Sequence, residues 1–344
     1  MIYSCIAYFV YGLVIAYFLN PLVIFLEGLF TKKKENDKWK KVKRSLAIAA
    51  SYVIVIGFIS IFVMNIVPTI ISGLNEFFVD LPRHLGNFQS WATDTLRVID
   101  PDVANNFEAY ISEFASKIYL WVEKEMDMAR VGNALTNAVS GSAKTVIRLV
   151  FGIVISVYFL FGKEELVKQF KRFIYALFTE DHANVIMDYG RAINKIFFDF
   201  IISKILQAVV IFMLGLVVLV PFNVPLALLI SLLLAITNMI PYIGPWIGAI
   251  PSVLLATLFN PIKGLIVLLF IIGMQIIDNL FIGPKIMSDK VGISPLLVIA
   301  GVAIGGTFGG IIGMFIGVPL VAVFKLVFYD NFVQRRLARK HIDI

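Results

Sequence analysis

The sequence predicts an all-α polytopic membrane protein with interrupted, re-entrant helices and a small helical domain outside the cell. Three observations carry that expectation. Of 344 residues, 59% are hydrophobic and only 15% charged, against about 25% charged in ordinary soluble domains. The apolar residues gather in runs long enough to cross a bilayer. One such run, 236–256, holds Pro241, Gly244, Pro245, Gly248 and Pro251 in its middle. A proline lacks an N–H and collides with the carbonyl four residues back, so the C=O groups of Thr237, Pro241 and Ile247 are expected to be released. Each proline also pushes the residue before it, here Ile240, Gly244 and Ile250, out of helical dihedrals.

Taken in order, 1–68 reads as N-terminal transmembrane helices joined by a basic cytoplasmic loop, 31–45. Within it, 2–19 is a span, 21–30 its interfacial continuation after Asn20-Pro21, and 46–67 a second span closed by Pro68. Segment 69–144 is amphipathic, with ten acidic residues to six basic, and apolar residues recur at helical spacing from Phe107 to Val122. An acidic segment after an outward crossing fits an extracytoplasmic helical domain, with a segment lying along the bilayer surface as the alternative. The transport domain is expected over 145–344. Span 145–161 returns inward, 162–199 is amphipathic and mixed in charge, and 201–220 crosses outward to the Pro221-Phe-Asn-Val-Pro225 turn. Lys204 and Asp199 read as interfacial anchors of this fourth span. The broken segment 226–259 follows, then the full span 262–282, a polar loop, and a second broken segment, 295–328. The basic clusters Lys32–Arg44 and Arg335–Lys340 both abut apolar spans, the positive-inside pattern, which puts the C-terminus in the cytoplasm. They explain the net charge of +7 without a nucleic-acid partner.

The break invites function. Unpaired backbone at membrane depth must be buried in protein or line a wet cavity, and transporters build binding sites from interrupted helices. An interhelical turn at the membrane surface is the alternative. Gln275, Asp278 and Asn279 share one helix face, and an ionisable group in a span is a functional hypothesis by default. Asp278 is the expected proton or cation carrier, with Gln275 and Asn279 as hydrogen-bonding neighbours. The alternative is an interfacial Asp278 paired with Lys285 or Lys290. Thr237 and Asn238, just before Pro241, Gly244, Pro245 and Gly248, could complete one polar pocket. In the last block Gly301, Gly305, Gly309, Gly313 and Gly317 recur every fourth residue, with Gly306 and Gly310 beside them and Pro319 beyond. This spacing permits close helix packing or a thin, movable element. A weak repeat, Pro225-Leu-Ala-Leu-Leu and Pro295-Leu-Leu-Val-Ile, opens the two broken blocks.

Enzyme signatures are absent. Gly141-Ser-Ala-Lys-Thr145 lacks the glycine spacing of a phosphate loop, and no nucleotide-binding domain appears. Histidines 84, 182 and 341 are scattered, so neither a metal site nor a cofactor is expected. The single cysteine, Cys5, forms no intrachain disulfide.

The motif Asn238-Met-Ile-Pro-Tyr-Ile-Gly-Pro-Trp-Ile-Gly-Ala-Ile-Pro-Ser252 resembles the autoinducer-2 exporter family of membrane transporters. Ala16-Tyr-Phe-Leu-Asn-Pro-Leu-Val23, Val67-Pro68, the stretch 275–287 with its Gly-Pro-Lys-Ile-Met, and the glycines of 295–319 agree with it. The resemblance covers nearly the whole chain. It implies a multi-pass inner-membrane transporter, a homo-oligomer, engaged in export of the autoinducer-2 signal or in Na⁺(Li⁺)/H⁺ antiport. Family members usually carry a further transmembrane helix ahead of the Ala-Tyr-Phe-Leu-Asn-Pro span. This chain starts almost directly in that span, which places its N-terminus outside by parity. The expected function is secondary export of a small polar solute coupled to a proton or cation gradient. Na⁺(Li⁺)/H⁺ antiport and a non-transporting membrane scaffold are the alternatives.

Overall fold

A computed structural model describes residues 2–29, 37–104, 108–110, 112–113, 116–117, 120, 143–278, 280 and 294–333. Among them the chain is helical with no strand. The protein is an all-α, multi-pass membrane protein. Asn279, Lys285, Lys290 and the basic tail from residue 334 lie outside the described residues, as do 31–36 and 121–142. The helices are α1 (Ile2–Leu29), α2 (Asp37–Ile61), α3 (Val67–Val79), α4 (Leu81–Ile99), α5 (Ala143–Leu177), α6 (Glu180–Leu219), α7 (Ala227–Thr237), α8 (Gly244–Phe259), α9 (Pro261–Ile277) and α10 (Pro295–Phe324). Among the described residues, four stretches are long and apolar enough to cross a membrane: Tyr8–Leu29, Trp39–Val79, Glu180–Leu219 and Pro295–Tyr329.

Contacts divide the chain into two units, Met1–Ser72 with Trp121–Ala183, and Gly73–Leu120 with Asn184–Ile344. In the first, α1, α2 and α5 pack through Ala16, Leu19, Val23, Leu26, Ala47, Ile48 and Leu160. The Arg44 guanidinium donates to Leu160 O at 2.9 Å from Nε and lies 3.6 Å from Glu27. Lys163 Nζ donates to Asn20 Oδ1 at 2.9 Å, and Tyr52 is hydrogen-bonded to Ser156. Two expected breaks are absent here. Helix α1 runs through Pro21, held by the buried residues on either side of it. At Pro68 the second span continues into α3 through a π-helical stretch, Phe62–Ile66. The wider turn pairs Val67 N with Phe62 O just ahead of the proline.

In the second unit the core joins Ile211 and Leu219 of α6, Ile230 and Leu234 of α7, Ala256 of α8, and Val267, Ile271 and Met274 of α9. Lys263 Nζ donates to Phe222 O at 2.6 Å. The turn after α6 and the turn between α8 and α9 therefore lie at one end. Helices α7 and α8 form a hairpin that leaves that end, breaks, and comes back to it.

The break is narrower than the prolines suggested. It occupies residues 238–243, and Pro251 sits inside α8. Thr237 O accepts from Ile240 N at 3.0 Å, and Pro241 O from Ile243 N at 2.8 Å. The expected release of the Thr237 and Pro241 carbonyls is thus corrected: two tight turns satisfy both. Pro251 lies only about two turns into α8, so it costs one backbone bond rather than the helix.

Although it counts as one span by length, α10 reverses at Gly309 (φ −137°, ψ 16°) and Gly310 (φ 55°, ψ −139°). Its arms, 295–308 and 311–324, are each about 21 Å long at about 1.5 Å per residue. A Cβ on Gly301 would lie 2.8 Å from Gly317 O, and one on Gly305 2.0 Å from Gly313 O. The glycine ladder is a self-packing seam, mirrored about the turn.

Candidate functional site

Helix α6, the end of α7 and the end of α9 converge on one polar cluster inside the second unit. Asp278 caps the C-terminal end of α9 and is 8% exposed. Gln207 Nε2 donates to Asp278 Oδ1 at 2.5 Å. Lys204 Nζ donates to Gln207 Oε1 at 2.7 Å. From the break, Asn238 Nδ2 approaches Asp278 Oδ2 at 3.5 Å, the outer limit of a hydrogen bond. Lys204, Gln207 and Asn238 are 3%, 6% and 2% exposed. An ammonium, an amide, a carboxylate and a second amide thus form a buried chain across three helices.

Helix lengths give its depth. At about 1.5 Å per residue, Asp278 lies about 25 Å along α9 from the Asn260 turn, and Gln207 about 18 Å along α6 from Leu219. The hydrocarbon layer is about 30 Å thick, so the chain sits well below the turn end.

The local sequence explains the placement. Asn238 is the C-cap of α7, so its side chain is set by where the helix stops. Gly244 is required there: a Cβ on it would lie 1.8 Å from Thr237 O, and one on Gly248 would lie 2.3 Å from Thr237 Oγ1. The two short helices cross with no side chain from α8 at Gly244 and Gly248, and Pro245 starts α8 at a position where its missing N–H costs nothing. Pro241 is buried within the break. Tyr242 beside it is held at φ 63°, a conformation rare for a bulky residue.

Of the residues singled out in the sequence, Asn238 and Asp278 are brought together. Thr237 turns its hydroxyl back to Leu233 O at 2.8 Å and serves the crossing with Gly244 and Gly248. Gln275 Nε2 is buried without a partner among the described residues. Gly305 and Gly306 pack within the α10 hairpin, Gly309 and Gly310 form its turn, and Pro319 is buried in its second arm. Two members of the cluster were not expected. Lys204, read as an interfacial anchor, is corrected to a buried residue. Helix α6 begins at Glu180 rather than near residue 200, so Lys204 stands far from its end. The missed signal was a Lys and a Gln at i, i+3 inside an apolar span.

The chain matches the family described as AI-2E family transporter over residues 1–333. It is 24% identical over 338 residues to YueF of Bacillus subtilis, named as a candidate transport protein, covering 93% of this chain and 82% of YueF. A candidate transport protein of Archaeoglobus fulgidus is 23% identical over 335 residues, 95% of this chain and 93% of its own. A protein of Halobacillus andaensis named sodium-lithium/proton antiporter is 23% identical over 325 residues, 91% of this chain and 86% of its own.

Proposed function

Since this chain belongs to the AI-2E transporter family, we propose that it is a secondary transporter in which Asp278 carries the coupling proton or cation. The passenger is a small polar solute, moved outward across the inner membrane with the C-terminus in the cytoplasm. The observation that carries this reading is the buried chain Lys204–Gln207–Asp278–Asn238. Ionisable groups inside a span are costly and mark ion pathways. Asn238 stands at a helix break, where a small change in backbone moves a ligand, and Gly305, Gly306, Gly309 and Gly310 give the α10 hairpin a thin profile for movement beside lipid. The large apolar surface of the single chain, including Phe308 and Ile311 at the hairpin turn, suits lipid and a homo-oligomer. No enzymatic step and no cofactor enter the proposal.

Na⁺(Li⁺)/H⁺ antiport is the second reading. The burial of Asp278 suits a bare ion better than an organic solute, and one relative is named an antiporter of that kind. Proteoliposomes carrying the full chain test the proposal. Flux driven by an imposed pH or Na⁺ gradient is expected for the wild type and at least tenfold weaker for Asp278→Asn, about the effect of 1.4 kcal/mol on a barrier. Unchanged, still gradient-driven flux in Asp278→Asn refutes the role of Asp278. A pH-dye response to Na⁺ with no solute present favours antiport.

A further inference from the structure

We propose that Lys204 is a tethered counter-ion for Asp278, so that the site takes up a monovalent alkali cation only by releasing the Lys204 proton. This rests on the reading that Asp278 carries the ion, and it names the exchange that takes place there.

The Gln207 amide is oriented by its two neighbours. Its oxygen faces the Lys204 ammonium at 2.7 Å and its NH₂ faces the Asp278 carboxylate at 2.5 Å. Only this orientation satisfies both, because an ammonium has no acceptor and a carboxylate no donor. The amide therefore links one buried positive charge to one buried negative charge. Together they are neutral, whereas either charge alone in this setting is expensive. Few other charges are at hand. On α6, Asp199 lies more than a turn before Lys204, and Lys195 lies a further turn away. Helices α7 and α8 contain no ionisable side chain that is charged at neutral pH, and α9 contributes only Lys263 at the far end.

A cation arriving at Asp278 would give the cluster an excess positive charge. Loss of one proton from Lys204 restores neutrality. The ammonium, the carboxylate and the free cation become an amine, a carboxylate–cation pair and a proton released to water. One N–H bond breaks, its electron pair stays on nitrogen, and reprotonation from the opposite side expels the cation. Lysine suits this exchange because, unlike arginine, it can deprotonate in a protein. Asn238 supplies a second oxygen. Its Oδ1 is buried without a partner among the described residues, and its Nδ2 contact to Asp278 is weak at 3.5 Å. Rotation of this amide gives a hard cation two oxygen ligands, the donor type such ions take.

The test uses the full chain in proteoliposomes with a pH dye inside and NaCl or LiCl added outside over a wide pH range. Wild type is expected to exchange cation for proton, mainly at alkaline pH, at a rate indifferent to membrane potential. Lys204→Arg keeps the charge but holds its proton, and exchange is lost at every pH. Lys204→Gln still exchanges, because Asp278 then gives up its own proton. Its pH profile moves to the acid side, because the group that then releases the proton is a carboxylic acid and not an ammonium. An active Lys204→Arg, an unshifted Lys204→Gln, or a wild type that exchanges neither Na⁺ nor Li⁺ for protons overturns the inference. If either variant fails to fold, the other decides. Should Asp278→Asn abolish gradient-driven solute flux while both Lys204 variants behave as wild type, the role of Asp278 stands and this inference falls.

Discussion

His84 of α4 stacks on Phe77 at 5.7 Å between ring centroids and lies 4.3 Å from the Phe259 ring at the end of α8. Burial holds its pKa below the ordinary histidine value, the Arg83 guanidinium adds to that, and Asp80 opposes it. Because the folded state disfavours the imidazolium, this packing is at full strength above about pH 6.5 and is lost as pH falls through the lowered folded value. The protection of the α4 amides, taken relative to their intrinsic exchange rates at each pH, is therefore expected to fall on mild acidification. His84→Phe, which keeps a ring but cannot titrate, should remove that pH dependence. At this scale the sequence told half of the site. Asp278 and Asn238 were legible because a carboxylate in a span and an amide before a proline are each conspicuous. Lys204 and Gln207 were not, because their meaning depends on where α6 begins, and its first half is too polar to look like part of a membrane helix.

The elements show how prolines and glycines divide their work. Periodicity and apolar runs predict helices throughout, and helices form; what sequence cannot supply is which proline actually stops one. Pro21 and Pro251 lie inside helices, and Pro68 lies at the start of α3, just after a π-helical stretch. The break at 238–243 exists because Gly244 and Gly248 let α8 cross the end of α7 at backbone contact. The α10 hairpin offers a graded test of such packing. A Cβ on Gly305 meets Gly313 O at 2.0 Å, while one on Gly309 meets nothing within 4 Å. Gly305→Ala should thus lower stability by about 1–3 kcal/mol through overpacking, read as an earlier thermal transition in detergent. Gly309→Ala should be nearly neutral. Gly310→Ala is strained at φ 55°, ψ −139° and should cost about 1–3 kcal/mol. Equal effects at all three positions would contradict the seam.

At the scale of the molecule, two compact units each carry their own apolar core, and among the described residues the buried ionisable cluster lies in the second. The hairpin α7–α8 starts and ends at one end of its unit, which the Lys263–Phe222 bond ties together, and its break is set far from that end. On the proposed reading, this arrangement exposes polar groups to a passenger without opening backbone to lipid. The account therefore stands on the depth of the break. The measurement that tests it most directly replaces Cys5, the single cysteine, by serine and introduces Tyr242→Cys or, as a control at the turn, Phe222→Cys. Reaction with a charged, membrane-impermeant maleimide is then followed in proteoliposomes. The account predicts that Tyr242→Cys reacts many-fold more slowly than Phe222→Cys, and that its rate changes when an ion gradient is imposed. Reaction as fast as at the turn, from one side and unaffected by any gradient, would make the break a surface loop and contradict the account.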